Sequence, residues 1–223
     1  MSTTQEQHVG VGIYTIGEAA RLLRVRQNLL RYWIGERAGV DSIVKRKLRD
    51  ERLLTFAELM ELHFVKIFRD EKVPFHTIRR AAIEAAKKFN TDYPFAVKRF
   101  DTDGKNIFAT LKSQETDQVK IEELRHGQLV FNTLIKPFFK QLDYHGSAEI
   151  ERFWPMHKTG RVVLDPARKF GRPIDNETGI STEALVNAVN AGGGQDEQVV
   201  ARWFDIPLEA VQAAVRFERT LAT

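Results

Sequence analysis

The sequence predicts an α+β fold with helical ends. Two helices at helix-turn-helix spacing and a basic turn open the chain, a small central mixed α/β region follows, and three helices close it. Three observations carry this. From Tyr14 to Phe89 apolar residues recur at helical spacing. After the loop Asn90-Thr91-Asp92-Tyr93-Pro94 the period changes. Beyond Pro173 helix start signals return, at Ser181, Asp196 and Asp205.

Residues 1–11 are polar and glycine-flanked and read as an arm or a disordered start. Thr15 is placed as an N-cap, and Glu18 three residues on completes a capping box. Ala19, Leu22 and Leu23 supply the buried stripe of this first short helix. A second helix runs from about Arg26 to Ile34 and ends at Gly35 and Gly39. Val40, Ile43 and Val44, then a Lys/Arg run, then Leu53-Leu54 read as two extended pieces around a basic turn. Thr55 caps a third helix, with Glu58 at the matching box position. Leu59, Leu62, Phe64, Val65 and Phe68 give that helix a buried face. Pro74 breaks it, and a fourth helix follows from about Phe75 to Phe89.

In the central region, residues 95–100 and 106–112 read as strands joined by Asp101-Thr102-Asp103-Gly104, a hairpin signal. Residues 118–143 fit a helix or a pair of strands, with Pro137 in the middle, and lean to mixed structure. Short strands are expected at 144–153 and 161–165. Pro155, Pro166, Gly171 and Pro173 mark a loop-rich connection. The closing helices are expected over Thr182–Ala191, Asp196–Trp203 and Pro207–Leu221, with Pro207 suited to a first turn.

Composition narrows the function. The chain has 223 residues and no cysteine, which excludes a disulfide scaffold, a cysteine zinc site, an iron–sulfur cluster and a cysteine nucleophile. A reducing cytoplasm fits best. No stretch approaches the ~20 apolar residues of a membrane-spanning helix, and MSTTQEQHVG lacks the basic start and apolar core of a secretory signal. The net charge of +4 is uneven: residues 1–100 hold 19 Lys+Arg against 12 Asp+Glu, and residues 101–223 hold 15 against 18. A basic N-terminal half is a polyanion-binding signal.

The residues of that half sharpen the signal. At ~100° per residue, Leu29, Leu30 and Trp33 fall on one side of the second helix, and Gln27, Asn28 and Arg31 on the other. Gln and Asn pair bidentately with adenine and Arg with guanine, so this face, with Arg26 at its start, has the chemistry of base readout. Lys45, Arg46, Lys47, Arg49 and Arg52 supply a cationic loop suited to phosphates. Each feature alone is also what any solvated helix or turn carries.

YTIGEAARLLRVRQNLLRYWIGER (14–37), the basic stretch, and LLTFAELMELHFVKIFRDEKVPFHTIRRA (53–81) together resemble the winged-helix DNA-binding domain of the MerR family. The resemblance spans about residues 13–90 and implies a winged helix-turn-helix whose second helix enters the major groove. Arg24 stands where that family usually has Gly, so the turn is made without a positive φ there, or with strain. No long dimerisation helix follows residue 90, and no cysteine serves metal sensing. Residues 162–218 resemble the three-helix, helix-turn-helix-like domains of VapB-type antitoxins, whose partner toxins are PIN-like ribonucleases. Gly171-Arg172-Pro173, Gly179-Ile180-Ser181-Thr182, the glycines before Asp196, and Ile206 to Phe217 carry that likeness; Asp175-Asn176-Glu177-Thr178 departs from it. FDTDGKNIFATL with Gly127-Gln128 also looks like antitoxins in which a MerR-like domain precedes this module.

The layout implied is a winged helix-turn-helix over 1–92, the mixed region over 93–160, and the helical module over 161–223. The function implied is an antitoxin that neutralises a PIN-like ribonuclease and represses its own promoter. The alternative is a plain regulator whose C-terminal half oligomerises or senses a ligand. The chain is expected to act as a homodimer or in a higher toxin–antitoxin assembly, without cofactor or metal. Because residues 101–223 are net acidic, the toxin contact is expected to be local: Trp203, Phe204 and Phe217 as apolar anchors, with Arg202, Arg216 and Arg219 as cations. Gly192-Gly193-Gly194 lacks the Lys-Ser/Thr of a phosphate loop and reads as a turn. None of the histidines at 8, 63, 76, 126, 145 and 157 falls in a metal motif, and His63 reads as a packed core residue. An enzyme would have to draw on carboxylates such as Asp101, Asp103, Glu122, Glu123 and Asp165, which the sequence does not gather into a motif.

Overall fold

The computed structural model describes residues 12–36, 42–47, 52–145, 149–191 and 196–222. The N-terminal arm, Gly39, Arg49 and the triple glycine at 192–194 lie outside the described residues. The protein is α+β, with the helix-turn-helix at its N-terminus and helices at both ends of a small sheet.

β1 (Ile13–Thr15) leads directly into α1 (Ile16–Leu23), because Thr15 and Glu18 close the expected capping box at that point. α2 (Gln27–Trp33) follows after three residues. β1 pairs antiparallel with β2 (Leu53–Thr55), Tyr14 opposite Leu54. A second capping box, Thr55 with Glu58, starts α3 (Phe56–Asp70), and α4 (Phe75–Phe89) begins after Pro74. The five residues placed on the buried face of α3 are all buried. In α1 the stripe is Ile16, Ala19, Ala20 and Leu23, while Leu22 is only partly buried. The extended reading of Ile43–Val44 is not a strand among the described residues; β2 pairs with β1 instead.

The hairpin expected around Asp101–Gly104 is a helix, α5 (Lys98–Ser113). The reason lies on its far side. A Cβ at Gly104 would fall inside the ring of Phe131, so the glycine permits helix approach and makes no turn. Gly127 does the same against Phe108, where a Cβ would stand 2.7 Å from the ring. The ambiguous stretch is helical too: α6 (Gln118–Val130), a π-turn (Phe131–Ile135), α7 (Lys136–Phe138) and a 3₁₀ turn (Phe139–Gln141). Pro137 would remove a bond from a continuous α-helix, and it sits at the point where the wider π-turn gives way to α7.

β3 (Leu142–His145), β4 (Glu149–Phe153), β5 (Val162–Leu164) and β6 (Pro173–Asp175) form an antiparallel meander in that order. β6 arises where the sequence reads as loop. The chain ends in α8 (Thr182–Ala191), α9 (Glu197–Phe204) and α10 (Leu208–Leu221). Asp205 does not start α10. It ends α9 in the left-handed conformation, and Pro207 precedes α10.

One apolar core runs from Tyr14 through α3, α5 and the π-turn to Leu164, without a break near residue 92. Its centre is a phenylalanine cluster: Phe64 meets the rings of Phe95, Phe100, Phe138 and Phe139 at 5.1–6.5 Å. His63 belongs to this cluster, stacked on Phe138 at 4.6 Å with the edge of Phe153 at 5.1 Å. Burial, reinforced by the charges of Lys66 and Arg24, pushes its imidazole down to about 3, so it is neutral as a core histidine should be. The closing helices have their own small core, built on Leu185, Val200, Val211 and Ala214.

Candidate nucleic-acid interface

The turn between α1 and α2 is tight because Arg24 takes φ 52°, ψ 48° and its N–H reaches back to the carbonyls of Ala20 and Arg21. Val25 N–H donates to Ala20 at 2.9 Å, and Arg26 is extended before α2. Arginine is thus held in the left-handed region, at a cost of about 1 kcal/mol relative to glycine. The same backbone recurs at the other end of the chain. Asp205 (φ 52°, ψ 51°) closes α9, Ile206 N–H donates to Ala201 at 3.0 Å, and Pro207 is extended before α10. The C-terminal module therefore contains a second helix-turn-helix bend.

On α2, Leu30 and Trp33 anchor the helix in the core. Leu29 was expected beside them but is 43% exposed. Arg26, Gln27, Asn28 and Arg31 are all exposed and form the outward face. Arg31 donates to Glu36 at 2.7 Å, which holds its guanidinium over the end of α2. Among the described residues no side chain caps the N-terminus of α2.

The basic segment divides by orientation. Lys45 and Lys47 are exposed, Lys45 at 2.9 Å from Asp92, and Arg52 is exposed at the foot of β2. Arg46, expected to meet a phosphate, faces away from the exposed lysines. It turns inward, donating to the Leu53 carbonyl at 2.6 Å beside the buried Glu58 at 3.8 Å. Glu58 also accepts from the N–H of Lys47 at 2.6 Å and of Thr55 at 2.7 Å. This one carboxylate ties Arg46 and Lys47 to the start of α3. Nothing in the charge run distinguishes Arg46 from its neighbours; the signal that could have was the buried acid at a capping position.

α1 is held from behind by the C-terminal half. Tyr14 Oη donates to the Gly171 carbonyl at 2.7 Å, Arg172 donates to Glu18 at 2.8 Å, and Arg21 pairs with Glu218 of α10, which also accepts from Thr182. Burial opposes ionisation of Glu18, but the Thr15 hydrogen bonds and Arg172 outweigh it and hold the carboxyl below the usual range. Sequence reading missed this clamp, because its partners are more than 150 residues apart.

Of the residues expected to meet a toxin, Trp203 (65% exposed), Phe204, Arg202, Arg216 and Arg219 are at the surface. Phe217 is not available: it is 2% exposed and packs with Val162 and Ala213 against Leu22. Arg202 borders a shallow hollow at the α9–α10 bend, and Arg219 borders another with Asn187 and Asn190 of α8. The carboxylates considered for catalysis are dispersed: Asp103 pairs with Lys88, Glu122 with Arg125, Glu123 with His76, and Asp165 with Arg152. Among the described residues no three His, Cys, Asp or Glu side chains gather as a metal site would require, and no helix is long and apolar enough to cross a membrane.

With this geometry in place, the comparisons are specific. Residues 14–83 match the family described as MerR HTH family regulatory protein, so the N-terminal region is similar to the helix-turn-helix of that family. Over 84% of this chain and 86% of its own length, the protein named "Putative antitoxin VapB45" of Mycobacterium tuberculosis (strain ATCC 25618 / H37Rv) is 24% identical. The crystal structure of Rv2018 from Mycobacterium tuberculosis shares the fold, with a TM-score of 0.73 at 20% identity, covering 93% of this chain and 98% of that one.

Proposed function

We propose that this chain is a DNA-binding regulator and the antitoxin of a toxin–antitoxin pair. In this reading α2 and the wing bind an operator in its own promoter, and the C-terminal helices neutralise a PIN-like ribonuclease in the cytoplasm. The observation that carries the DNA half is the exposed face Arg26, Gln27, Asn28 and Arg31, flanked by Lys45, Lys47 and Arg52, within a region that matches the MerR helix-turn-helix family. One such helix covers too few base pairs for tight specific binding, so two copies on a palindromic site are the expected assembly. The antitoxin half is supported by the likeness to a protein of that name over most of both chains.

DNA upstream of the gene, titrated at several salt concentrations, tests the first half. Arg31→Ala should weaken operator binding by ~1–3 kcal/mol and relax preference at one base pair. Lys45→Gln with Lys47→Gln should weaken all sequences alike and flatten the salt slope by about one unit per lost contact. Arg46→Ala should lower thermal stability instead, since Arg46 faces inward. Equal salt slopes for wild type and the double lysine variant would remove the wing from the interface.

For the second half, the product of the neighbouring reading frame is co-expressed with the full chain. A fragment from residue 160 is unsuited, because β5 pairs with β4 and Phe217 packs on Leu22. Trp203→Ala with Phe204→Ala should release toxicity while operator binding persists. Operator binding without any neutralisation by wild type would leave a plain regulator.

A further inference from the structure

A cavity of about 200 Å³ opens where the helix-turn-helix, α3, the central sheet and α10 meet. Its floor is apolar, formed by Leu22, Met60, Phe153, Leu164, Phe217 and Leu221. Its polar groups are few and mostly unpartnered. Arg24, in its left-handed conformation, lies at the wall, and among the described residues its guanidinium has no hydrogen bond or ion pair. Lys66 spends one contact on Asp70, leaving two of its three donor positions. Among the described residues, the ring nitrogens of His63 and the side-chain amide of Gln141 line the same space without a hydrogen-bond partner. An apolar floor with a few polar groups at its wall is the architecture of a small-molecule site.

The charge decides the ligand class. A guanidinium unpaired among the described residues and an ammonium with one contact call for a single negative charge, and the planar fork of Arg matches a carboxylate. A neutral imidazole adds a hydrogen bond without adding charge. The volume suits a ligand of roughly seven to ten non-hydrogen atoms. The geometry points to a binding site for a small amphipathic carboxylate, its hydrocarbon part against Leu22, Phe153 and Leu221 and its head group at Arg24 and Lys66. This site is separate from the DNA-reading face and does not rest on that reading.

Octanoate, octanol and octylamine are the probes, titrated calorimetrically into the full-length protein, with thermal unfolding alongside. Octanoate is expected to bind one per chain and raise the melting temperature. Octanol should bind about tenfold more weakly, and octylamine more weakly still. Arg24→Gly removes the guanidinium and relieves the left-handed strain, so this variant should be at least as stable as wild type. Its octanoate affinity should fall about tenfold, to the level of octanol. Leu22→Trp, which fills the cavity, should abolish binding of both. No octanoate binding to wild type, equal binding of octanoate and octanol, or octanoate affinity unchanged in both Arg24→Gly and Lys66→Gln would each overturn the site.

Discussion

Replacing Gly171 by alanine is expected to cost about 3–6 kcal/mol and to loosen α1 from the C-terminal half. Gly171 holds φ +81°, where an L side chain costs roughly 1–2 kcal/mol. A Cβ there would also lie well inside van der Waals distance of the Tyr14 hydroxyl. That hydroxyl is buried, and its one proton goes to the Gly171 carbonyl. Moving the ring to admit the methyl costs a further ~1–3 kcal/mol and strands a buried hydroxyl, worth about 1 kcal/mol more. Desolvation already holds the Tyr14 phenol far above its ordinary value, so ionisation offers it no escape. Tyr14→Phe, which deletes the hydroxyl and keeps the ring, should cost only about 1 kcal/mol alone. It should also recover part of the Gly171→Ala loss when the two are combined. Urea unfolding of the four proteins checks this as a double-mutant cycle, and additive costs would show that the two residues do not meet.

That contact marks the limit of what the sequence discloses. Thr15 with Glu18 and Thr55 with Glu58 are legible because a capping box is complete within four residues. The outward face of α2 is legible because helical periodicity alone separates Leu30 and Trp33 from Gln27, Asn28 and Arg31. Features decided by a remote partner are not. Asp101-Thr102-Asp103-Gly104 has hairpin chemistry, yet it is helical because Phe131, twenty-seven residues on from Gly104, needs a surface without a Cβ. Phe217 lies on an apolar stripe in either reading, but the stripe does not say that Leu22 and Val162 cover it. Arg46 looks like a phosphate ligand until Glu58 is seen buried beneath it. β1 and β6 are three residues each and carry no periodicity of their own.

Two groups on α3, the buried Glu61 and the half-buried His63, should give the protein a stability plateau with a shoulder on each side. Burial pushes the Glu61 carboxyl up to about 8, against the partial support of N–H bonds from Phe95 and Ala96 at 2.9–3.1 Å. Between its unfolded value near 4.5 and the folded value, the unfolded chain has lost a proton that the native chain keeps, so stability falls as pH rises. His63 behaves oppositely. Between about 6.5 and 3 the unfolded chain takes up a proton that the native chain refuses, so stability falls as pH drops. From pH 4.5 to 6.5 the two slopes oppose each other and cancel. Above 6.5 only Glu61 acts and below 4.5 only His63, each at a limiting slope of about 1.4 kcal/mol per pH unit.

Glu61→Gln reproduces the neutral carboxyl, and its carbonyl can still accept from Phe95 and Ala96. Its stability relative to wild type should therefore rise by on the order of 4 kcal/mol between pH 4.5 and 8. His63→Phe keeps the stack on Phe138 and should gain relative to wild type as pH falls below 6.5. Differences from wild type cancel the other titrating groups, so denaturant midpoints of the three proteins across pH 4–8.5 are the measurement. A pH-independent difference for Glu61→Gln would mean that the carboxyl titrates near its ordinary value. In that case the buried turn at Phe95 is open to water in solution.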